Sequence, residues 1–398
     1  MHLRSRAHAS PGRGPGSGAA SRRTRCPGTD RRYRVDIPTA ALLSFRLGGT
    51  DGVAVEAAKW RRALEALGYA TVTVAGEGRV DRLLPGLAIG AAAPPTPAEL
   101  DDALADADLV VVENLCSLPL NPAAAGVAAR VLAGRPAVFR HHDLPWQRPQ
   151  YATSPPPPDD SCWAHVTIND RSRRELAAHG IAATTVYNSF DPVDPPSAER
   201  RRSARALLGV PEASRLALQP TRAIPRKNVA GGVRAAEALD ATFWLLGPAE
   251  DGFDDELERV LGGARCPVVT GWPGGDVRPV ADAYAACDVV LLPSTWEGFG
   301  NPSVESAFHL RPLVVGPYPV ASELAAFGFR WFGLGQLAEA AAFLDQPDPS
   351  LLARNRAVAT AHFSTSGLPR RLEAVLDDLG ARLAACGVTG QLGARRYR

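Results

Sequence analysis

From residue 39 onwards, short apolar runs alternate with longer stretches in which apolar residues recur at helical spacing. A run of four to seven such residues is typical of a buried parallel strand, and the stretches between the runs are long enough for connecting helices. The predicted strands are Thr39–Phe45, Tyr69–Val74, Leu109–Val112, Ala137–Arg140, Ala164–Asn169, Thr184–Tyr187, Leu216–Pro220, Thr242–Leu246, Pro267–Thr270, Val289–Leu292 and Leu313–Val315. This alternation predicts an α/β chain with two Rossmann-like, doubly wound domains that face a central cleft.

Changes in composition divide the chain further. The first segment is rich in Arg, Gly, Pro and Ser and has no periodicity, which is typical of disorder, and prolines cluster after the sixth predicted strand. The last predicted helix is amphipathic, with a leucine-rich face. The four predicted segments are a disordered basic tail (1–36), a first domain (37–195), a second domain (196–365) and a C-terminal helix (366–386).

The stretch Asp288–Pro312 combines a strand, a glycine loop and a helix start. Gly298 and Gly300 make the loop, Asn301 is predicted to cap the helix, and the helix is predicted over Ser303–Leu310. Unpaired N–H groups and the helix dipole point the same way at such a turn, which favours an anion.

Two carboxylates bracket this turn, Glu297 in the loop and Glu305 eight residues later. An ionised carboxylate only accepts hydrogen bonds, so a pair of them suits the hydroxyl groups of a sugar or a ribose. The alternative is an ordinary strand-to-helix turn with surface glutamates.

Taken together, Glu297, the glycine loop and Glu305 resemble the E-x7-E motif of retaining glycosyltransferases with the GT-B fold, specifically family 4, also described as glycosyl transferases group 1. The resemblance implies a nucleotide-diphospho-sugar donor, no metal or other cofactor, and a C-terminal helix that packs back on an acceptor-side first domain. It also implies that Glu297 is catalytic and contacts the transferred sugar, whereas Glu305 accepts from the ribose. The loop residues implied to bind the donor are Gly298, Phe299, Gly300 and Asn301.

Arg222 and Lys227 follow the first predicted strand of the second domain. Arginine offers a planar fork to two oxygens and lysine a compact charge, a pair that suits a diphosphate. Lys227 is one of only two lysines in an arginine-rich chain, the other being Lys59. The family has an arginine and a lysine at this spacing that bind the donor diphosphate. The alternative is a pair of solvated charges in a loop.

Three sets of candidate residues follow predicted strands of the first domain: Gly48 with Gly49, Glu113 with Asn114, and His142 with Asp143. The carboxyl ends of parallel strands face the crevice in open α/β sheets. The resemblance implies that His142 reaches the transferred sugar and that the other residues lie near the acceptor. A structural histidine is the alternative.

The chain departs from the family pattern at several positions. Ser189 stands in the N-G-V-D signature where glycine is usual, and Tyr318-Pro319 replaces a glycine pair. Phe308 and Leu310 are bulkier than the usual residues, so the identity of the donor sugar cannot be transferred from the family. Glu323 keeps the acidic position that follows the altered loop.

Net charge, cysteine spacing and the lengths of apolar runs argue against several classes of partner and cofactor. The 398 residues carry a net charge of +2, which gives no case for nucleic acid and at most peripheral contact with a membrane. The six cysteines are widely spaced and form no C-x-x-C pair, so neither a metal cluster nor a disulfide framework is expected. No apolar run approaches 18 residues and the N-terminus lacks an apolar signal region, so a cytoplasmic setting is predicted.

These observations predict a retaining hexosyltransferase that moves a sugar to an unidentified hydroxyl acceptor. A non-catalytic sugar-nucleotide-binding or partner subunit with the same fold is the alternative, which the altered Tyr318-Pro319 loop keeps open. A dinucleotide dehydrogenase is excluded because the glycine fingerprint G-x-G-x-x-G is missing.

Overall fold

The computed structural model describes residues 37–49, 51–250, 252–275 and 278–385. The tail predicted to be disordered (1–36) lies outside the described residues. The strands are β1 (Thr39–Leu47), β2 (Ala70–Gly78), β3 (Arg82–Leu83), β4 (Leu109–Glu113), β5 (Ala137–His141), β6 (Trp163–Thr167), β7 (Ala183–Thr185), β8 (Arg215–Gln219), β9 (Ala241–Leu245), β10 (Val268–Thr270), β11 (Val289–Leu292), β12 (Leu313–Val315) and β13 (Phe332–Gly333).

Helices connect these strands. They are α1 (Gly52–Ala66), α2 (Pro97–Ala103), α3 (Pro122–Leu132), α4 (Asp170–Ala178), α5 (Ala198–Leu208), α6 (Val229–Ala238), α7 (Asp254–Gly262), α8 (Val280–Ala286), α9 (Asn301–Phe308), α10 (Pro319–Ala325), α11 (Leu337–Asp345), α12 (Pro349–Phe363) and α13 (Leu368–Ala385). None of these described helices is both long and apolar enough to cross a membrane.

The first seven strands form one parallel sheet in the order β3-β2-β1-β4-β5-β6-β7. The chain order reverses between β1 and β4, which pair in register with Ala41 opposite Val110. Residues 40–43 of β1 and 109–112 of β4 are buried because helices cover both faces of the sheet. A reversal of this kind leaves a crevice beyond the carboxyl ends of the two strands.

The second sheet repeats this plan with six parallel strands in the order β10-β9-β8-β11-β12-β13. Its reversal lies between β8 and β11, where Ala217 is opposite Val289. The two doubly wound sheets confirm the predicted fold class. The short edge strands β3 and β13 were not predicted, because two residues are too few to show a period.

Helix α13 follows the second sheet in the chain but packs into the core of the first. Its buried residues Leu372, Val375, Leu376 and Leu379 join the same apolar cluster as β1, β4 and Trp60 of α1. Arg382 also donates to the carbonyl of Trp163 at 3.1 Å. The last described helix is therefore part of the first domain's core.

Candidate active site

In the second domain, the loop that follows β8 and the loop that follows β11 meet through a buried ion pair. Lys227 Nζ lies 2.5 Å from Glu297 Oε1, and Arg226 Nη1 lies 3.3 Å from Glu297 Oε2. Arg226 also donates to the carbonyl of Trp296 at 3.0 Å. Burial alone would raise the pKa of Glu297, but Lys227 and Arg226 outweigh it and hold this pKa below its usual value. Burial lowers the pKa of Lys227, against the opposing effect of Glu297.

Arg222 lies apart from this cluster. Its side chain is about half exposed and forms an ion pair with Glu250. The structure therefore brings Arg226, rather than Arg222, to the carboxylate of Glu297. Sequence reasoning passed over Arg226 because it looked for one arginine and one lysine at a fixed spacing.

The loop before α9 corrects one prediction. Asn301 does not cap the helix: it is the first residue of α9, and Gly300 is the N-cap with φ +87° and no side-chain capping bond. A Cβ at Gly300 would lie 2.4 Å from the Tyr318 hydroxyl, which is 2.7 Å from Ser303 Oγ. The close approach of Tyr318 requires glycine here, and Tyr318 fills the space behind the helix start.

Glu305 points from α9 toward Tyr284, whose hydroxyl donates to Glu305 Oε2 at 2.7 Å. The other carboxylate oxygen has no protein partner among the described residues. Burial raises the pKa of Glu305 and holds the pKa of Tyr284 well above its usual value. One oxygen of Glu305 is thus held in place, and the other remains available to a ligand.

In the first domain, the predicted residues Glu113 and His142 are in contact. His142 Nε2 lies 2.9 Å from Glu113 Oε2, and Arg140 donates to the same carboxylate at 3.2 Å. Arg140 also reaches Glu56 at 3.0 Å and Asn188 at 3.3 Å. Burial would raise the pKa of Glu113, but Arg140 and His142 together hold it below its usual value. The network fixes the orientation of the His142 ring.

The remaining first-domain candidates are placed by the backbone. Asn114 has a positive φ of 59°, and its Oδ1 accepts from the His142 N–H at 3.0 Å. Gly48 has φ +71°, and a Cβ there would lie 2.5 Å from the Arg79 carbonyl, whereas the neighbouring Gly49 is exposed. Asp143 forms an ion pair with Arg148 at 3.0 Å.

The predicted residues of the two domains meet at the loop before α9. A Cβ on Gly298 would lie 2.8 Å from the His142 carbonyl, and Asn169 Nδ2 donates to the Gly298 carbonyl at 2.6 Å. Asn188 Nδ2 donates to Asn301 Oδ1 at 3.0 Å. Phe299 packs between the domains on Phe190 with ring centroids 6.0 Å apart. The loop that carries Glu297 is therefore in close contact with the backbone of His142.

Glu323 also joins the two domains. Its carboxylate accepts from the backbone N–H groups of Asp170 at 2.6 Å and Arg171 at 3.2 Å, at the first turn of α4. It accepts in addition from the Tyr187 hydroxyl at 2.8 Å. A carboxylate on a helix N-terminus is stabilising, so this residue connects α10 to the first domain.

Part of the chain matches a known family model, and two curated relatives resemble most of its length. Residues 223–346 match the family model described as Glycosyl transferases group 1. Mannosylglucosylglycerate synthases of Petrotoga mobilis and Thermotoga maritima are 24% and 25% identical, over 75% and 74% of this chain and 87% and 84% of their own.

Solved structures share the fold. Anabaena HepE, in complex with UDP and glucose, superposes with a TM-score of 0.68 at 19% identity, over 86% of this chain and all of that one. The lipopolysaccharide glycosyltransferase WaaG superposes with a TM-score of 0.58 at 15% identity, over 84% and 98% of the two chains. These comparisons support a group 1 glycosyltransferase, and the structural neighbours share the GT-B fold. The family model and the curated relatives together indicate a glycosyltransferase.

Several residues near the site of this glycosyltransferase were missed by sequence reasoning. Lys59 Nζ lies 2.5 Å from Glu56 and 4.6 Å from the centre of the Phe190 ring. The rarity of lysine was a usable signal for Lys59, but nothing in the local pattern marks Glu56 or Arg140 as buried partners. Among the described residues, no group of three or more His, Cys, Asp or Glu side chains is placed to hold a metal ion.

Proposed function

We propose that this glycosyltransferase moves a hexose from a nucleotide-diphospho-sugar to a hydroxyl acceptor with retention of the anomeric configuration. The observation that carries the proposal is the meeting of the Glu297–Asn301 loop with His142 across the domain interface, beside Lys227 and Arg226. A sugar placed there contacts both domains, whereas its nucleotide lies against the second.

Different side chains bind different parts of the donor, according to their charge. Lys227 and the N-terminus of α9 bind the diphosphate, because each offers N–H donors or positive charge. Arg222 is half exposed, so it can leave Glu250 and turn to the same diphosphate. The free oxygen of Glu305 accepts from the ribose. Because Arg226 holds the second oxygen of Glu297, Lys227 is able to turn to the diphosphate without leaving this buried carboxylate unpaired.

His142 acts on the transferred sugar through its Nδ1 atom. Glu113, as a carboxylate, only accepts, so His142 donates from Nε2, and in this tautomer Nδ1 is the acceptor. That nitrogen has no partner among the described residues, and it accepts a hydrogen bond from a hydroxyl of the sugar. Glu113 and Arg140 thereby set the tautomer that the reaction requires.

The reaction is a front-face transfer in which the bond from the anomeric carbon to the diphosphate breaks as the acceptor oxygen approaches from the same side, and the proton of the acceptor hydroxyl passes to the departing diphosphate oxygen. Negative charge develops on the departing diphosphate, so stabilisation of this charge supplies much of the catalysis. Loss of one such contact costs about 3 kcal/mol, or roughly a hundredfold in rate. Glu297 is not assigned as a nucleophile, and no metal is required.

The first test measures donor binding by thermal unfolding. Wild type, Lys227→Ala and the exposed control Arg202→Ala are heated with UDP, GDP, ADP and their hexose conjugates. A ligand at about 100 times its Kd stabilises a protein by roughly 2.7 kcal/mol, and we expect this shift for one base only, in wild type and control but not in Lys227→Ala. No shift with any nucleotide would count against the donor site.

Turnover separates an enzyme from a binding subunit. The selected donor is incubated with a panel of acceptors that includes glucosylglycerate, since the relatives are named as synthases of a mannosylated form. NMR of the product gives the anomeric configuration. Repeating the reaction with EDTA tests whether transfer requires a metal ion. Retention with undiminished rate in EDTA is expected. An inverted product or dependence on added metal would contradict the mechanism, and donor binding without transfer would indicate the non-catalytic alternative.

A further inference from the structure

A chain of four polar side chains runs through the first domain on the side of β5 that faces away from Arg140. Ser117 Oγ lies 2.7 Å from His141 Nδ1, and His141 Nε2 lies 2.9 Å from His165 Nδ1. His165 Nε2 lies 3.0 Å from Asp159 Oδ1. His141 and Arg140 are consecutive in β5, so their side chains point to opposite faces of the sheet. The glycosyl transfer site uses none of these four residues.

The carboxylate of Asp159 determines which atom donates in each hydrogen bond of this series of side chains. Asp159 only accepts, so the proton of His165 is on Nε2 and its Nδ1 is an acceptor. His141 must then donate from Nε2, which leaves its Nδ1 to accept from the Ser117 hydroxyl. Burial lowers the pKa of His165 and holds that of His141 well below its usual value, so both rings are neutral at pH 7. Ser117 is therefore hydrogen-bonded to the lone pair of an oriented base.

Ser117 lines a cavity of about 290 Å³ with mainly apolar walls. The walls come from the loop after β4, from α3 and from two proline-containing loops, and include Cys116, Leu118, Ala129, Pro145 and Pro156. The N–H group of Leu118, directly after Ser117, has no acceptor among the described residues. A free N–H at the residue after a nucleophile is a common donor to an oxyanion.

We propose that Ser117 is the nucleophile of a second reactive site, which takes an ester whose short apolar acyl group fills this cavity. A serine, a histidine that removes its proton and a third group that orients the histidine are the parts that acyl transfer needs. Here the orienting group is His165, itself held by Asp159. This inference goes beyond glycosyl transfer and does not depend on it.

The chemical step balances within the relay. The Ser117 oxygen bonds to the acyl carbon while its proton moves to His141 Nδ1. The bond from that carbon to the leaving alkoxide breaks, and the alkoxide takes the proton from His141. Water then attacks the acyl-serine by the same route, which releases the acid and restores Ser117.

The first experiment uses a fluorophosphonate probe on the full chain, followed by mass spectrometry of the labelled peptide. Ser154 lines the same cavity but has no histidine partner among the described residues, so Ser154→Ala is the matched control for Ser117→Ala. We expect labelling at Ser117 in wild type and in Ser154→Ala, and its loss in Ser117→Ala. No labelling, or equal labelling of other serines, would overturn the proposal.

A second variant tests the relay. His165→Phe keeps a ring against His141, with which His165 is stacked at 5.2 Å, but interrupts the path to Asp159. The rate of labelling, and of p-nitrophenyl butyrate hydrolysis, should fall by about 100-fold or more, as is typical when a general base is disabled. Thermal melting confirms that the variant is folded. A folded His165→Phe protein with the wild-type rate would show that these contacts are structural only.

Discussion

At the scale of single residues, the buried charges of the site are held in pairs or larger groups. Glu297 is 6% exposed and Lys227 9% exposed, and each is the nearest opposite charge of the other. Removal of one member of a buried pair leaves an uncompensated charge, whereas removal of both is often tolerated. A single substitution should therefore be more destabilising than the double substitution if the pair is buried, whereas a solvated pair shows no such difference.

A double-mutant cycle tests the coupling between these two residues. We expect Lys227→Met alone to lower the free energy of unfolding by about 2 kcal/mol, because Glu297 loses its closest partner but keeps the more distant Arg226. Adding Glu297→Gln should recover part of that loss. Urea unfolding of the two single variants and the double variant measures the coupling, and strictly additive effects would contradict it.

His309 gives a prediction for pH. Its ring is buried and stacked on Tyr284 with centroids 4.5 Å apart, and burial lowers its pKa to about 4. The unfolded chain takes up a proton near pH 6.5 but the folded protein does not, so stability is lost as the pH falls from about 6.5 to 4. The loss is roughly 3 kcal/mol for this residue.

The variant His309→Phe keeps the stacked ring and removes the titration. Its free energy of unfolding should fall less than that of wild type between these two pH values, as measured by denaturant unfolding at each pH. The free energy of unfolding of His309→Phe still falls somewhat with falling pH, because His141 and His165 also have lowered pKa values. If the free energy of unfolding depended on pH equally in wild type and His309→Phe, the lowered pKa of His309 would be contradicted.

At the scale of elements, the loop between β11 and α9 depends on its glycines. Gly300 combines a left-handed backbone with the close approach of Tyr318, so a side chain there meets both strain and a steric clash. The α9 N-terminus is thus positioned from behind by Tyr318, in a place where the family pattern has small residues.

Gly300→Ala should lower the free energy of unfolding by about 2 kcal/mol or more and reduce transfer activity strongly, because left-handed strain and displacement of Tyr318 add together. Gly335→Ala is the control, since Gly335 is exposed and a Cβ there meets nothing within 4 Å. Thermal unfolding and product formation are measured for both. A stable, fully active Gly300→Ala protein would refute this account.

The elements were easier to predict than their contacts. β11 and β12 were predicted at the observed residues because an apolar run between turn residues reports burial directly. The cap of α9 was assigned wrongly, since a preference for asparagine at N-caps cannot show that Asn301 binds Asn188 instead. Arg226 and Glu56 were missed for the same reason: their partners Glu297 and Arg140 lie 71 and 84 residues away in the chain.

At the scale of the whole molecule, residues of the second half contact or complete the first half at more than one place. The carboxylate of Glu323 binds the start of α4, and α13 returns from the second sheet to the first core. The first domain is consequently incomplete without residues that follow the second.

Leu379→Ala tests the contribution of α13. Leu379 is fully buried in the first core, so its truncation should lower the free energy of unfolding by 2–5 kcal/mol in the range seen for such sites. Asp377→Ala, on the exposed face of the same helix, should change it by no more than about 0.5 kcal/mol. Denaturant unfolding compares the two. Equal effects would mean that α13 does not stabilise the core.

The return of α13 also has a consequence for synthesis. About 180 residues separate the end of β7 from the start of α13, and a ribosome needs on the order of 10–40 s to add them. During that interval the nascent first domain has its sheet but not the helix that covers part of its apolar surface. A chain that terminates early keeps this surface open, which marks it for chaperones and proteases and distinguishes it from a finished protein.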